Sequence, residues 1–205
     1  MSGVIVGVES TAHTLSLGFV GEDGTLFSSE TALFKPEQGG IHPREAADHH
    51  SIMAPELISR LLSREDFDQE DIVAVSFSQG PGLGPCLRIG ASVARSLSSV
   101  WNAPLIGVNH CVAHIEVGRN QTGCEDPVLL YASGGNTQVI ARAGDRYRVI
   151  GETLDIGIGN MLDKFARHNG IPFPGGPVIE KLSSQWMETS IPISDSLVNL
   201  PYGVH

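Results

Sequence analysis

Twice along this chain the same order of elements is written: strand, small polar turn, strand, Gly/Asp turn, strand, then helix. Val4 to Glu9 is a short apolar run of the buried-strand kind, and Ser10-Thr11-Ala12-His13 turns it into the alternating segment Thr14 to Val20. Glu22-Asp23-Gly24 marks a tight turn before a third strand around Thr25 to Phe34. Past Gly123 the order recurs. Val128 to Ser133, Gln138 to Ala143 and Tyr147 to Thr153 read as strands, joined by the turns Gly134-Gly135-Asn136-Thr137 and Gly144-Asp145. A repeat of element order with little repeat of sequence points to a duplicated α/β domain pair with a cleft between its halves. In that arrangement the two small polar turns offer backbone N–H groups and hydroxyls to a phosphate chain. The competing reading is two ordinary hairpins.

The residues between the meanders complete the first unit. Pro43 suits the first turn of a helix running to about Arg64, with Ile52, Leu57, Ile58, Leu61 and Leu62 as its apolar face and Pro55 as a site for a kink. Ile72 to Phe77 reads as a strand, Gln79 to Pro85 as a Gly/Pro-rich loop, Leu87 to Trp101 as a helix and Leu105 to Val108 as a short strand delivering His110 to a further helix. This division predicts a first lobe over residues 1–124 and the start of a second over 125–205.

Composition narrows the function classes. With 41% hydrophobic and 18% charged residues among 205, the chain can build a core and does not read as disordered. No apolar run reaches the roughly 18 residues of a membrane span, and Met1 leads into Gly3-Val4-Ile5-Val6-Gly7 without a basic leader, so a cytoplasmic protein with no membrane partner is expected. Cys86, Cys111 and Cys124 are odd in number and lack zinc-ribbon spacing, which fits a reducing compartment. The formal charge of −10 argues against a surface that grips nucleic acid all over, because phosphate contacts need clustered Lys and Arg, but it leaves room for a local basic patch or a basic partner.

His110 and His114 stand four apart on an expected helix, so both imidazoles leave one face at a spacing that lets two nitrogens reach one metal ion. They follow a short strand, where open α/β sheets place their sites. A metallopeptidase is disfavoured, since Cys111 stands where the zincin pattern needs Glu. Ser133-Gly134-Gly135-Asn136-Thr137 permits close backbone approach to a ligand, while Gln79 to Pro85 lacks both the P-loop ending and the dinucleotide-binding spacing. His42, His49 and His50 are read as lining a loop and a helix start rather than as ligands, with Arg44 available to an anion. Asp163 by itself reads as a solvated helix charge, and no residue announces itself as a general base.

Taken together, Val6 to Thr14, Gly39 to His50, Ser78 to Gly90, Val108-Asn109-His110-Cys111-Val112-Ala113-His114-Ile115-Glu116, Tyr131 to Gln138 and Pro174-Gly175-Gly176-Pro177 resemble the successive motifs of one family. It is the tRNA N(6)-adenosine threonylcarbamoyltransferase family, once described as O-sialoglycoprotein endopeptidases. Asn-His-Cys-Val-Ala-His and His-Pro-Arg-Glu-Ala-Ala resemble its archaeal and eukaryotic branch, the catalytic subunit of the KEOPS complex.

The resemblance implies an actin/sugar kinase/Hsp70-like fold with ribonuclease H-like lobes, the second lobe incomplete. It implies transfer of threonylcarbamoyl from threonylcarbamoyl-adenylate to the exocyclic amine of the adenosine after the anticodon, in tRNAs reading codons that begin with A. His110 and His114, with Tyr131 as a third contact, would hold one divalent transition metal, iron or zinc. Tyr131, Ala132, Ser133, Gly134 and Gly135 would hold the adenylate or an adenine nucleotide, with or without magnesium, and Asp163, Gly176 and Glu180 would surround the nucleoside. The implied partners are tRNA, an atypical small kinase/ATPase, a small dimerising subunit on the first lobe and a regulatory subunit. The family's last metal ligand, an Asp, and an Asn on the nucleoside are expected beyond Leu200 to His205. The 205-residue chain alone is therefore expected to be inactive. An actin-like ATPase or small-molecule kinase, and a partner-docking module without activity, are the competing readings.

Overall fold

In the computed structural model, which describes residues 3–36, 40–63 and 71–187, thirteen elements run as three strands, then alternating helix and strand, then three strands and two helices. β1 (Val4–Glu9), β2 (Thr14–Gly21) and β3 (Leu26–Leu33) form an antiparallel meander, and β4 (Ile72–Gly80) and β5 (Leu105–Asn109) add to β1 in parallel, giving the order β3-β2-β1-β4-β5. α1 (Pro43–Leu62), α2 (Gly84–Trp101) and α3 (His110–Thr122) are the connections and the exit helix. A separate antiparallel sheet holds β6 (Leu129–Ala132), β7 (Thr137–Ala143) and β8 (Arg146–Glu152), followed by α4 (Ile158–His168) and α5 (Gly175–Met187).

The period of two decides what each strand buries. Val4, Val6 and Val8 of β1 and Leu15, Leu17 and Phe19 of β2 point into one core with Leu57 and Leu61 of α1 and Ala94 and Leu97 of α2. The same alternation puts Ile5, Gly7 and Glu9 on the opposite face, which α3 covers in part through its contacts with β4 and β5. A second, smaller core joins Cys111 and Ile115 of α3 to Tyr131 of β6 and Ile140 of β7. Tyr147 Oη donates to Glu116 Oε1 at 2.6 Å, a polar tie between β8 and α3.

Several boundaries differ from the sequence expectation for visible reasons. Ile52 is 75% exposed, because α1 buries Ala46, Ala47, His50, Ala54, Leu57 and Leu61, and a residue two positions from both His50 and Ala54 faces the other way. The helix passes through Pro55 and ends at Leu62 with Ser63 as its cap. Arg64 and Gly39, to which expectations were also attached, lie outside the described residues, as does the segment from Leu200 to His205. β4 extends to Gly80, whose pairing with Asn109 prolongs the ladder, and α2 starts at Gly84 with Pro85 in its first turn.

Each meander's first turn is backed by a helix of its own unit, α2 in the first and α4 in the second. Leu83 N donates to Thr11 O at 2.7 Å, and a Cβ on Gly90 of α2 would collide with Ser10 Oγ. In the second unit Gly159 N donates to Ser133 O at 3.1 Å and Ile158 N to Thr137 Oγ1 at 2.7 Å, while a Cβ on Gly157 would lie 2.8 Å from Asn136 N. The same device, a glycine letting a helix start press on a small polar turn, thus appears in both units.

His50 secures the first turn from the side. It is fully buried, its Nε2 lies 3.0 Å from Ala12 O, and its Nδ1 lies 3.4 Å from His49 Nδ1. Burial holds His50 below the ordinary histidine range, helped by the nearby His49 and His13 and opposed by the Ala12 carbonyl and Glu9.

Two outcomes follow from this packing. Gly90→Ala should destabilise the chain by about 1–2 kcal/mol, since overpacking against Ser10 outweighs the helix propensity that alanine adds; a urea midpoint equal to or above wild type would contradict this. A depressed histidine pKa means that the unfolded chain binds more protons near pH 6, so the contribution of His50 is present above about pH 6.5 and lost as pH falls. The urea midpoint should therefore drop between pH 7.5 and 5.5, and a midpoint that rises on acidification would contradict the assignment.

Candidate metal centre and adenylate turn

Three adjacent parallel strands, β1, β4 and β5, end beside one another, and their carboxyl ends supply Glu9, Ser78 and, one residue on, His110. This is the end of an open α/β sheet at which ligands bind. α3 begins sharply at His110 because Asn109 caps it: Asn109 Oδ1 accepts from Cys111 N at 2.9 Å and from Val112 N at 3.2 Å. The cap fixes which turn of α3 faces the strand ends.

Glu9 is the centre of the cluster. Its Oε1 accepts from the backbone N–H of Thr11 at 2.7 Å and from the Thr11 hydroxyl, and its Oε2 accepts from the Ser78 hydroxyl and lies 3.2 Å from His110 Nδ1. Burial pushes the carboxyl up, yet the hydrogen bonds from His110, Ser78 and Thr11 outweigh it and hold the pKa at about 2. The side chain was not singled out from the sequence as a site residue. Its signal there was a carboxylate ending an otherwise apolar strand, on the strand face turned away from the valine core.

The two histidines predicted to share a face do so, with Nε2 of His114 3.2 Å from Nε2 of His110 and ring centroids 4.6 Å apart. Two imidazole nitrogens at that separation, each at a typical bond length of about 2.0–2.1 Å, subtend about 100° at a common metal, within the range of ordinary tetrahedral or octahedral coordination. The donor set therefore fits a divalent transition metal. Burial, with His110 adding to it and Glu9 opposing, holds His114 below the ordinary histidine range, which favours the neutral, ligating form. Tyr131, expected as a third contact, is buried with its ring 5.2 Å from that of His114 and 6.2 Å from that of His110. Burial is the main cause that raises its pKa, with Ser133 opposing. Among the described residues no three His, Cys, Asp or Glu side chains gather as a metal-binding group.

Tyr131 leads directly into the expected adenylate turn. Ser133 closes it: Ser133 N donates to Asn136 O at 2.8 Å, and Asn136 N donates to Ser133 Oγ at 3.1 Å. Gly134 and Gly135 are exposed, neither has a positive φ, and a Cβ on either would meet nothing within 4 Å. Ala132 beside them is also exposed. The protein itself thus places no steric demand for glycine at 134 and 135, and the space in front of the turn is open. The α4 N-terminus is not open in the same way, since Ile158 N and Gly159 N are spent on Thr137 and Ser133.

The remaining predicted nucleoside residues lie on α4 and α5. Asp163 Oδ1 accepts from Gly175 N at 2.8 Å and so ties the start of α5 to α4. This contact spans twelve residues of chain and gives Asp163 a structural use that its place on a helix did not reveal. Gly176 is partly exposed with open space where a Cβ would be, and Glu180 is exposed one turn further along. The group faces the first turn: His13 packs edge-on against Phe173 at 6.3 Å and feels the charge of Asp163, although burial keeps its pKa low. His42 and Arg44, by contrast, precede and open α1 and take no part in the Glu9 cluster among the described contacts.

A family model described as tRNA N6-adenosine threonylcarbamoyltransferase matches residues 25–202. The chain is 57% identical over 182 residues to the tRNA N6-adenosine threonylcarbamoyltransferase of Archaeoglobus fulgidus, covering 89% of this chain and 55% of that protein. It is 52% identical over 201 residues to the probable bifunctional tRNA threonylcarbamoyladenosine biosynthesis protein of Thermoplasma acidophilum, covering 98% of this chain and 36% of that one. The chain thus spans about half the length, or less, of these curated relatives. Among solved structures, the ethanolamine utilization protein EutJ from Carboxydothermus hydrogenoformans superposes with a TM-score of 0.55 at 16% identity, covering 93% of this chain and 65% of that one, a likeness of fold alone. With the repeated meander, it places the chain in the actin/sugar kinase/Hsp70-like fold class. On the extent of the family match and the identity to its archaeal relatives, the chain belongs to the tRNA N6-adenosine threonylcarbamoyltransferase family.

Proposed function

We propose that this chain carries the metal- and adenylate-binding part of a threonylcarbamoyltransferase acting on tRNA. The acceptor is N(6) of the adenosine 3′ of the anticodon in tRNAs reading codons that begin with A, and the donor is threonylcarbamoyl-adenylate. Family membership supports the reaction class. The observation that carries the site is the His110–His114 pair, Nε2 to Nε2 at 3.2 Å, next to Tyr131 and the open turn that follows it.

In the reaction the exocyclic amine bonds to the carbamoyl carbon, the bond from that carbon to the phosphate oxygen breaks, adenylate departs and the amine loses a proton. His110 and His114, with Tyr131 beside them, would hold one divalent metal, iron or zinc. Bound there, such an ion supplies Lewis-acid charge to an acyl-phosphate group. The turn Ala132 to Gly135 would face the adenylate phosphate, with magnesium where a nucleotide polyphosphate takes its place, and the N–H groups of the exposed Gly134 and Gly135, rather than that of Ser133, which is spent on Asn136, would stabilise charge that grows on the leaving group. Asp163, Gly176 and Glu180 border the nucleoside, with Asp163 reaching it while keeping one oxygen on Gly175. No side chain among these is assigned as the general base.

In this reading residues 1–124 belong to the first lobe and residues 125–205 to the second, and the chain supplies part of an enzyme whose curated relatives are longer. The −10 charge suits shared tRNA binding, in which KEOPS-type partners supply much of the basic surface: a small atypical kinase/ATPase, a small dimerising subunit on the first lobe and a regulatory subunit. Such a protein works in the cytoplasm, and no helix among the described residues is long and apolar enough to cross a membrane.

The direct test is transfer from threonylcarbamoyl-adenylate to tRNA by the full-length protein with its partners. His110→Ala and His114→Ala should each reduce transfer to background while the fold, followed by circular dichroism, persists. Wild-type rates in both variants would overturn the assignment. Metal-independent phosphoryl transfer to a small molecule, untouched by either change, would favour the kinase reading instead.

A further inference from the structure

The contacts of Glu9 decide which nitrogen of His110 carries the hydrogen. Imidazole has two nitrogens, and in the neutral ring one carries hydrogen while the other offers a lone pair. Of the partners gathered on the Glu9 carboxylate, the Thr11 backbone N–H can only donate, and it occupies Oε1 at 2.7 Å together with the Thr11 hydroxyl. Oε2 receives the Ser78 hydroxyl and faces His110 Nδ1 at 3.2 Å. A carboxylate crowded by donors is an acceptor, so the hydrogen in the last contact belongs to Nδ1.

We propose that Glu9 is a positioning residue that holds His110 in its Nδ1–H tautomer, leaving the Nε2 lone pair directed at the point shared with His114. This rests on the reading of the His110–His114 pair as a metal centre and adds to it the group that readies the pair. The geometry favours this over a purely structural use of Glu9. A strand-end carboxylate that merely closed the turn would be satisfied by Thr11, whereas this one also reaches across 101 residues to the histidine nitrogen remote from the Nε2 pair. His110 Nε2, in turn, is the atom that approaches His114, so the two ring nitrogens have separate duties. A carboxylate on the far nitrogen of a ligating histidine orients the ring and raises its basicity, and losing it typically lowers metal affinity about 10–100-fold.

The experiment is long-range nitrogen–proton NMR of the 15N-labelled, metal-free protein, followed by Zn²⁺ titration of wild type and Glu9→Gln. In wild type the His110 ring should show hydrogen on Nδ1, a result that needs no variant to fold. In Glu9→Gln the single amide oxygen cannot serve both Thr11 and His110, so the Nε2–H form should appear and Zn²⁺ affinity should fall about 10–100-fold. A wild-type ring in the Nε2–H form, or a folded Glu9→Gln protein with unchanged tautomer and affinity, would overturn the proposal. Wild type that shows the Nδ1–H form but binds no Zn²⁺ would support the tautomer assignment while overturning the metal centre. Wild type that binds Zn²⁺ from an Nε2–H ring would do the reverse.

Discussion

Everything at the candidate site hangs on a carboxylate at the end of the central strand. β1 is hydrogen-bonded on one side to the antiparallel meander and on the other to parallel β4, so its last residue emerges where three parallel strands stop. Glu9 stands there and gathers the following turn through Thr11, the end of β4 through Ser78 and the start of α3 through His110. Each of those partners is delivered by a separate local cause. Thr11 comes from the turn that His50 and Leu83 pin from either side, Ser78 from ladder register, and His110 from the Asn109 cap. Loss of the ionised carboxylate would leave four donors from three residues pointing at a partly buried gap, a costly arrangement.

The second unit meets the first at this same place. Cys111 and Ile115 of α3 share a small core with Tyr131 and Ile140, so the helix that carries the histidines is also the support of the sheet that carries the adenylate turn. Tyr131 consequently stands next to His114 on one side and leads into Ser133 on the other. With these contacts one helix sets the distance between the His110–His114 pair and the turn that follows Tyr131.

Much of this was legible in the residue order, because it depends on local rules. The alternation of β1 and β2, the Pro43 start of α1, the Gly/Asp turns and the four-residue spacing of His110 and His114 each follow from periods or dihedral preferences readable over a few positions. Ile52 misled because an apolar residue on a helix says nothing of which face meets the core until the buried small residues Ala46, Ala47 and Ala54 are known. Glu9 and Asp163 were unreadable for a different reason. Their partners, His110 and Gly175, lie 101 and 12 residues away, and only strand register and helix packing bring them into reach. Gly157 likewise acquires its meaning from Asn136 across the second meander.

X-ray absorption spectroscopy of the metal-loaded protein most directly tests whether this cluster is a metal centre. The account predicts imidazole multiple scattering from two histidines at about 2.0–2.1 Å, reduced to one in His110→Ala and in His114→Ala. A bound metal without histidine scattering, or a spectrum unchanged by either substitution, would contradict it.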